Sequence, residues 1–214
     1  MKVDLRHADL QTFTAFVFDH PVPSDKDEPE WYLKERLEVE YEPRTQVRLL
    51  RELFGTAGSL PNAFNVGQIE QGLWFVFTPH EEYFTALLWA FDVPWPERAG
   101  CIESIAILYS DLFPRVSVET IDYMIPDLLA DSYGFGRRNP HDPDDHNVRE
   151  ALFRLFTDLL KSADPSTQYA GLHGLGHLAH PRGREAINAY LAATPGISAE
   201  LRSYASDAMT GDVL

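Results

Sequence analysis

The sequence predicts an all-α fold. Three observations carry that expectation. Apolar residues recur at spacings of three and four along most of the chain. Prolines and glycines cut it into helix-length segments. No run alternates apolar and polar residues over the roughly four to eight positions that a half-buried strand needs, and no strand–helix–strand rhythm appears. At 214 residues, 44% of them hydrophobic and 24% charged, the chain has enough material to bury one core, and it is expected to be a single domain over residues 1–214.

Residues 10–18 are apolar and aromatic and fit a helix or a short strand; Pro21 and Pro23 forbid its continuation. Residues 24–30 (SDKDEPE) read as a polar loop, and 31–39 fit either helix or strand. Any short strands are expected within residues 1–60. Residues 45–54 predict a helix, with Val47, Leu50 and Phe54 on one face. After a break at 55–61, residues 66–77 predict another, capped by Asn65. A further helix is expected over 81–91, before Pro94 and Pro96. Residues 97–112 form the longest apolar stripe of the first half, through Ile102, Ile105, Leu108, Tyr109 and Leu112, and Pro114 ends it. The pattern resumes over 118–130, where Pro126 should kink the helix or mark a new start.

Residues 133–147 read as a turn-rich connection. Residues 148–160 are amphipathic, with Val148, Leu152, Leu155 and Leu159 in line and Asn147 at the capping position. Helices over 166–179, 183–193 and 198–209 complete the chain, with Ser166 and Ser198 where N-caps belong. Gly171, Gly174 and Gly176 fall within one helix. Each costs about 1 kcal/mol against alanine there, so a neighbouring helix is expected to approach closely and offset the loss.

In this last third, Ala170, Leu172, Leu175, Gly176 and Leu178 lead into His180-Pro181, and Ala186, Ile187 and Leu191 follow. That pattern resembles the HEAT-like (armadillo-type) helical repeat family over about 65 residues. The resemblance implies two helical hairpins, 148–160 with 166–179 and 183–193 with 198–209, in a right-handed superhelical stack. It also implies a concave or edge surface that binds other macromolecules. Residues 1–147 are then an irregular helical bundle that covers the inner end of the stack.

The formal charge is −15 and unevenly spread: residues 148–214 carry seven acidic and six basic side chains, and residues 1–147 carry 26 and 12. Such a field repels phosphate backbones, which disfavours nucleic acid, and draws a basic partner. No apolar run approaches the roughly 18 residues that span a bilayer, and the N-terminal stretch MKVDLRHADLQTF lacks the apolar core of a signal peptide. Cys101 is the single cysteine, so no internal disulfide can form and a cytoplasmic setting is expected.

Two constellations are candidates for function. Glu28, Glu30, Glu35, Glu38, Glu40 and Glu42 crowd one region and suggest a docking surface for a cationic partner. His173, His177 and His180 stand at i, i+4 and i+7, where neutral imidazoles on one helix face can share a metal ion such as zinc. The nearby stretch 141–146 offers His141, Asp145 and His146 as further ligands. The helix has no glutamate of the H-E-x-x-H kind, and no G-x-S-x-G elbow, phosphate loop or C-x-x-C pair occurs. The sequence therefore favours a non-enzymatic protein-binding protein without cofactor, in the manner of an acidic inhibitor, immunity-type antagonist or adaptor of a basic partner. The alternative is a metal-dependent enzyme built on the histidine helix.

Overall fold

The computed structural model of the protein describes residues 2–25, 27–34, 36–78, 88, 92–134 and 143–213. The described residues are mostly helical, as expected. The chain divides into two compact units, Met1–Ile121 and Asp122–Leu214. The sequence places its change of character at 147/148, so the segment around residues 122–134 joins the C-terminal unit rather than the acidic portion.

The first unit contains helices α1 (Leu10–Phe18), α2 (Pro43–Gly55), α3 (Val66–Phe77) and α4 (Trp95–Ser104). It also holds the chain's described strands, β1 (Lys2–Asp4) and β2 (Glu38–Glu40). They pair in parallel, with Lys2 opposite Glu38 and Asp4 opposite Glu40. Both strands lie inside the region where the sequence leaves room for them. Residues 31–33 form a single 3-10 turn between helix and strand.

Helix α1 packs on α3, and α2 packs on α1 and α4. Phe13, Val17 and Phe18 from α1, Leu49 and Leu53 from α2, and Ile69, Leu73 and Val76 from α3 are all buried. Each such side chain contributes about 1.5–3 kcal/mol by leaving water. Asn65 caps α3 as predicted, and Gln68 reaches back to the Asn65 amide to complete a capping box.

The expected helix over 97–112 is interrupted. Helix α4 ends at Ser104, whose hydroxyl donates to Cys101 O (2.7 Å). A π-helical turn follows at Leu108–Leu112 and a 3-10 turn at Phe113–Arg115. The apolar stripe conceals this break because Ile102, Ile105, Leu108 and Leu112 stay buried on both sides of it. The helix expected over 81–91 lies outside the described residues except at Leu88.

The second unit is built from α5 (Ile121–Gly134, whose first residue belongs to the first unit), α6 (Pro143–Leu159), α7 (Pro165–Leu178), α8 (Gly183–Ala193) and α9 (Ala199–Thr210). Helix α6 starts at Pro143, so Asp144, Asp145 and His146 sit in its first turn rather than in a loop, and Asn147 is inside the helix instead of capping it. Asp164, not Ser166, caps α7 by accepting from Thr167 N, with Pro165 preset for the first turn. Ser198 caps α9 as predicted.

Helix α7 packs against both α6 and α9, and its glycines explain the closeness. A Cβ on Gly174 would stand 2.6 Å from Pro126 Cβ and 2.8 Å from Phe156 Cδ2. Pro126 itself lies within α5 without ending it.

Candidate functional site

In the first unit, Val66, Glu70 and Trp74 follow one another at four-residue steps on α3 and so share a face. The amides of Gln68 and Gln71 donate to His20 O (3.3 and 3.1 Å), which ties the loop after α1 to that helix. The turn before α5 is held on the same face: Glu70 accepts from the backbone amides of Glu119 (2.6 Å) and Thr120 (3.0 Å). Between these parts runs a groove of about 490 Å³, lined by Asp25, Glu28, Glu30, Glu70, Glu119 and Trp74 among others. No lysine or arginine is among its described lining residues. Val22 and Val66 are exposed at its edge.

Glu30 is the unusual member. Its Oε2 is buried without a hydrogen-bond partner. Burial, and then the neighbouring charge of Glu70, push its carboxyl above the ordinary range. Beneath it lies an aromatic cluster, in which Trp31 stacks on His20 at 3.6 Å and meets Phe16 and Phe75. Tyr32 beside Glu30 is pushed up to about 12, by burial first and by that carboxylate second.

The other carboxylates of the predicted docking surface are dispersed. Glu28 faces the groove but accepts from Ser24 N and pairs with Lys34 (2.5 Å). Glu38 lies beside Arg36 (3.5 Å). Glu40 is paired with Lys2 (2.5 Å) and Arg6 (3.0 Å), and Glu42 caps α2. Glu35 lies outside the described residues. Glu70 and Glu119 are groove acids that the local clustering of residues 28–42 does not reveal; the Val66–Glu70–Trp74 helical spacing is the signal for the first of them.

In the second unit, His173 and His177 stand one turn apart on α7, as their spacing predicts, and Asp127 from α5 meets them. One donor atom from each of the three lies within 4.8 Å of the others, the one such grouping of metal-ligating side chains among the described residues. Asp127 Oδ1 is 3.3 Å from His177 Nδ1, and Asp127 Oδ2 is 3.9 Å from His173 Nε2. Interaction with His173 first, and then the charge of His177, outweighs burial and holds the Asp127 carboxyl below the ordinary range. His173 Nδ1 is 2.5 Å from the Tyr204 hydroxyl, which is itself 3.0 Å from the Tyr123 hydroxyl. The rings of Tyr169 and Tyr204 stack at 3.8 Å, and Tyr123 lies 4.0 Å from His173. Burial raises the Tyr204 hydroxyl far above its ordinary value.

His180 is engaged elsewhere. Helix α7 ends at Leu178, and Ala179 takes a left-handed conformation (φ 47°), so the i+7 position falls beyond the helix. The His180 ring stacks on Phe153 and its Nε2 meets Glu150 (3.0 Å). Burial holds it below its ordinary range. His146 lies on α6 one turn before Glu150, Asp145 is in the first turn of α6, and His141 lies outside the described residues.

Cys101 is fully buried and pushed up to about 12 by that burial, which suits packing rather than nucleophilic chemistry. No helix among the described residues is long and apolar enough to cross a membrane. No family model, curated protein or solved structure matches this chain. Function is therefore argued from the chemistry of the two sites.

Proposed function

We propose that the protein is a non-enzymatic binding protein that takes a basic segment of a protein partner into the acidic groove of residues 1–121, as an antagonist or adaptor of that partner. The observation that carries this reading is Glu30, a partly buried carboxylate with an unpartnered oxygen, set beside a second carboxylate. Such a group opposes folding on its own, and a guanidinium or ammonium entering the groove relieves it. The face of Trp74 gives the same cation an aromatic surface, and the net charge of −15 steers it inward. The C-terminal helices act in this reading as HEAT-like pairs, α6 with α7 and α8 with α9. The packing of α7 on both α6 and α9 supports that arrangement. The single cysteine, buried at Cys101, suits a cytoplasmic setting.

Titrating the full-length protein with an arginine-rich peptide, followed by tryptophan fluorescence, tests the reading. Binding should be saturable at low salt and weaken several-fold as the screening length falls from about 30 Å at 0.01 M to about 8 Å at 0.15 M. Glu30→Gln should weaken it by about 30-fold, the low end of the range for truncating one partner of a buried charge pair. Equal affinity in Glu30→Gln, or binding indifferent to salt, overturns the proposal.

A further inference from the structure

We propose that Asp127, His173 and His177 form a binding site for one divalent ion of the zinc class, held by two imidazoles and a carboxylate with a coordination position left open. The site begins with packing. Because Gly174 has no Cβ, α5 comes close enough for Pro126 to rest on it. The residue after Pro126 is Asp127, and the residues flanking Gly174 on the same helix face are His173 and His177. The glycine that looks costly in the sequence is what brings the carboxylate to the histidine pair.

The donor atoms are arranged for a cation. The Tyr204 hydroxyl lies within hydrogen-bond reach of both Tyr123 and His173; with its own proton given to Tyr123, it accepts from His173 Nδ1–H. His173 Nε2 is then left with a bare lone pair. That side chain is 2% exposed, and its Nε2 is buried without a hydrogen-bond partner. Asp127 Oδ1 is likewise buried and unpartnered. Electron-rich atoms from three residues converge in a place screened from water, a costly arrangement that a cation relieves. An ion bound at about 2.0–2.1 Å in tetrahedral geometry needs donors about 3.3–3.5 Å apart. His177 Nδ1 stands 3.3 Å from Asp127 Oδ1 and His173 Nε2 3.9 Å from Asp127 Oδ2, and one donor atom from each residue lies within 4.8 Å of the others, so side-chain adjustment closes the shell around an ion.

Two imidazoles and one carboxylate suit zinc, cobalt or iron rather than calcium or magnesium, which favour all-oxygen shells. Tyr204 fixes the His173 ring from behind, the part that an outer hydrogen-bond partner plays in metal sites. His177, with its side chain 26% exposed, gives the ion a way in.

Metal-free full-length protein should be titrated with Zn²⁺ by calorimetry and with Co²⁺ by ligand-field absorption. The expected result is one saturable equivalent and a cobalt spectrum of low coordination number. His177→Ala and Asp127→Asn should each weaken uptake by about 100-fold. Tyr204→Phe should weaken it by about tenfold while keeping the stoichiometry. His146→Ala should leave it unchanged. His177 is partly exposed, so its variant should keep the wild-type circular dichroism and so isolate the ligand's contribution. Absence of a saturable equivalent in the wild type overturns the proposal. Uptake that persists in both His177→Ala and Asp127→Asn overturns it as well.

Discussion

The two units use one helical grammar to opposite ends. Residues 1–121 carry 20 acidic and ten basic side chains; residues 122–214 carry 13 and eight. In the first unit the carboxylates face outward, where they cap helices, pair with surface cations or line a groove, while Gln46, Gln71 and Arg98 are buried. In the second, polar chemistry turns inward, in a histidine–tyrosine network between α5, α7 and α9. Both units contain a glycine that lets helices approach closely: a Cβ on Gly72 would stand 2.2 Å from Phe18 Cδ1, and one on Gly174 2.6 Å from Pro126 Cβ. In the first unit the close approach encloses an aromatic ring; in the second it lies beside His173, and the polar side chains enclosed there must satisfy one another.

The sharpest way to break this comparison is to make the same substitution in both units. Gly174→Ala puts a Cβ within 2.6 Å of Pro126 and 2.8 Å of Phe156, so it should cost about 3 kcal/mol and separate Asp127 from the histidines. Gly55→Ala, in the last turn of α2, meets nothing within 4 Å and should gain about 0.5–1 kcal/mol. Urea denaturation gives both values. Hydrogen exchange along α7 should show the loss confined to the second unit. Equal effects of the two substitutions would show that the close contact at Gly174 does not hold its neighbouring helices together.

The same physics decides what is legible in the chain. Helix positions are readable because apolar spacing survives in each segment, and Asn65 and Ser198 announce their helices by type and place. The break at Ile105 is not, because buried residues continue through it. Two of the three residues of the Asp127–His173–His177 cluster are readable, since His173 and His177 are neighbours on one helix. Asp127 is not, because it arrives from a different helix through the Pro126–Gly174 contact. Pro181 marks His180 as the odd member, since a residue before proline is pushed out of the helical region. The groove is legible only in part. Glu28 and Glu30 stand out as charge, but their partners Glu70 and Glu119 come from distant segments.

A smaller effect sharpens the contrast through pH. Burial and Glu70 raise the Glu30 carboxyl, so its ionisation works against the fold at neutral pH, and that cost disappears as pH falls through its folded pKa. Burial would also raise Glu150, but the hydrogen bond with His180 and the charge of Arg182 outweigh it and hold the carboxyl low. Its stabilisation is present above the unfolded carboxylate pKa and lost as pH falls through the folded one. At pH 7, Glu30→Gln should therefore gain a few tenths of a kcal/mol and Glu150→Gln should lose up to about 1 kcal/mol. The Glu30 difference should vanish once pH is below the ordinary carboxylate value of about 4.3, and the Glu150 difference only at lower pH, below its depressed folded pKa. Denaturation at a series of pH values measures them, and a shared sign at neutral pH would contradict the assignment of one carboxylate as strained and the other as satisfied.

A further small effect lies at the end of α7. Ala179 is the one non-glycine residue with positive φ among the described residues, and it belongs to the second unit. Its left-handed conformation turns the chain away from the helix axis, so that His180 meets Glu150 and leaves the face of His173 and His177. Arg149 holds the turn by donating to Ala179 O (2.7 Å). A side chain in that region costs about 1 kcal/mol, part of which glycine gives back as unfolded-state entropy. Ala179→Gly should therefore stabilise the protein by about 0.5 kcal/mol, a shift visible in thermal melting. Uptake of Zn²⁺ should be unchanged, because His173 and His177 lie inside the helix that the turn terminates. A variant that melts lower would show that the turn needs the Ala179 methyl group. The strain would then be part of what holds Glu150, His180 and the end of α7 in register.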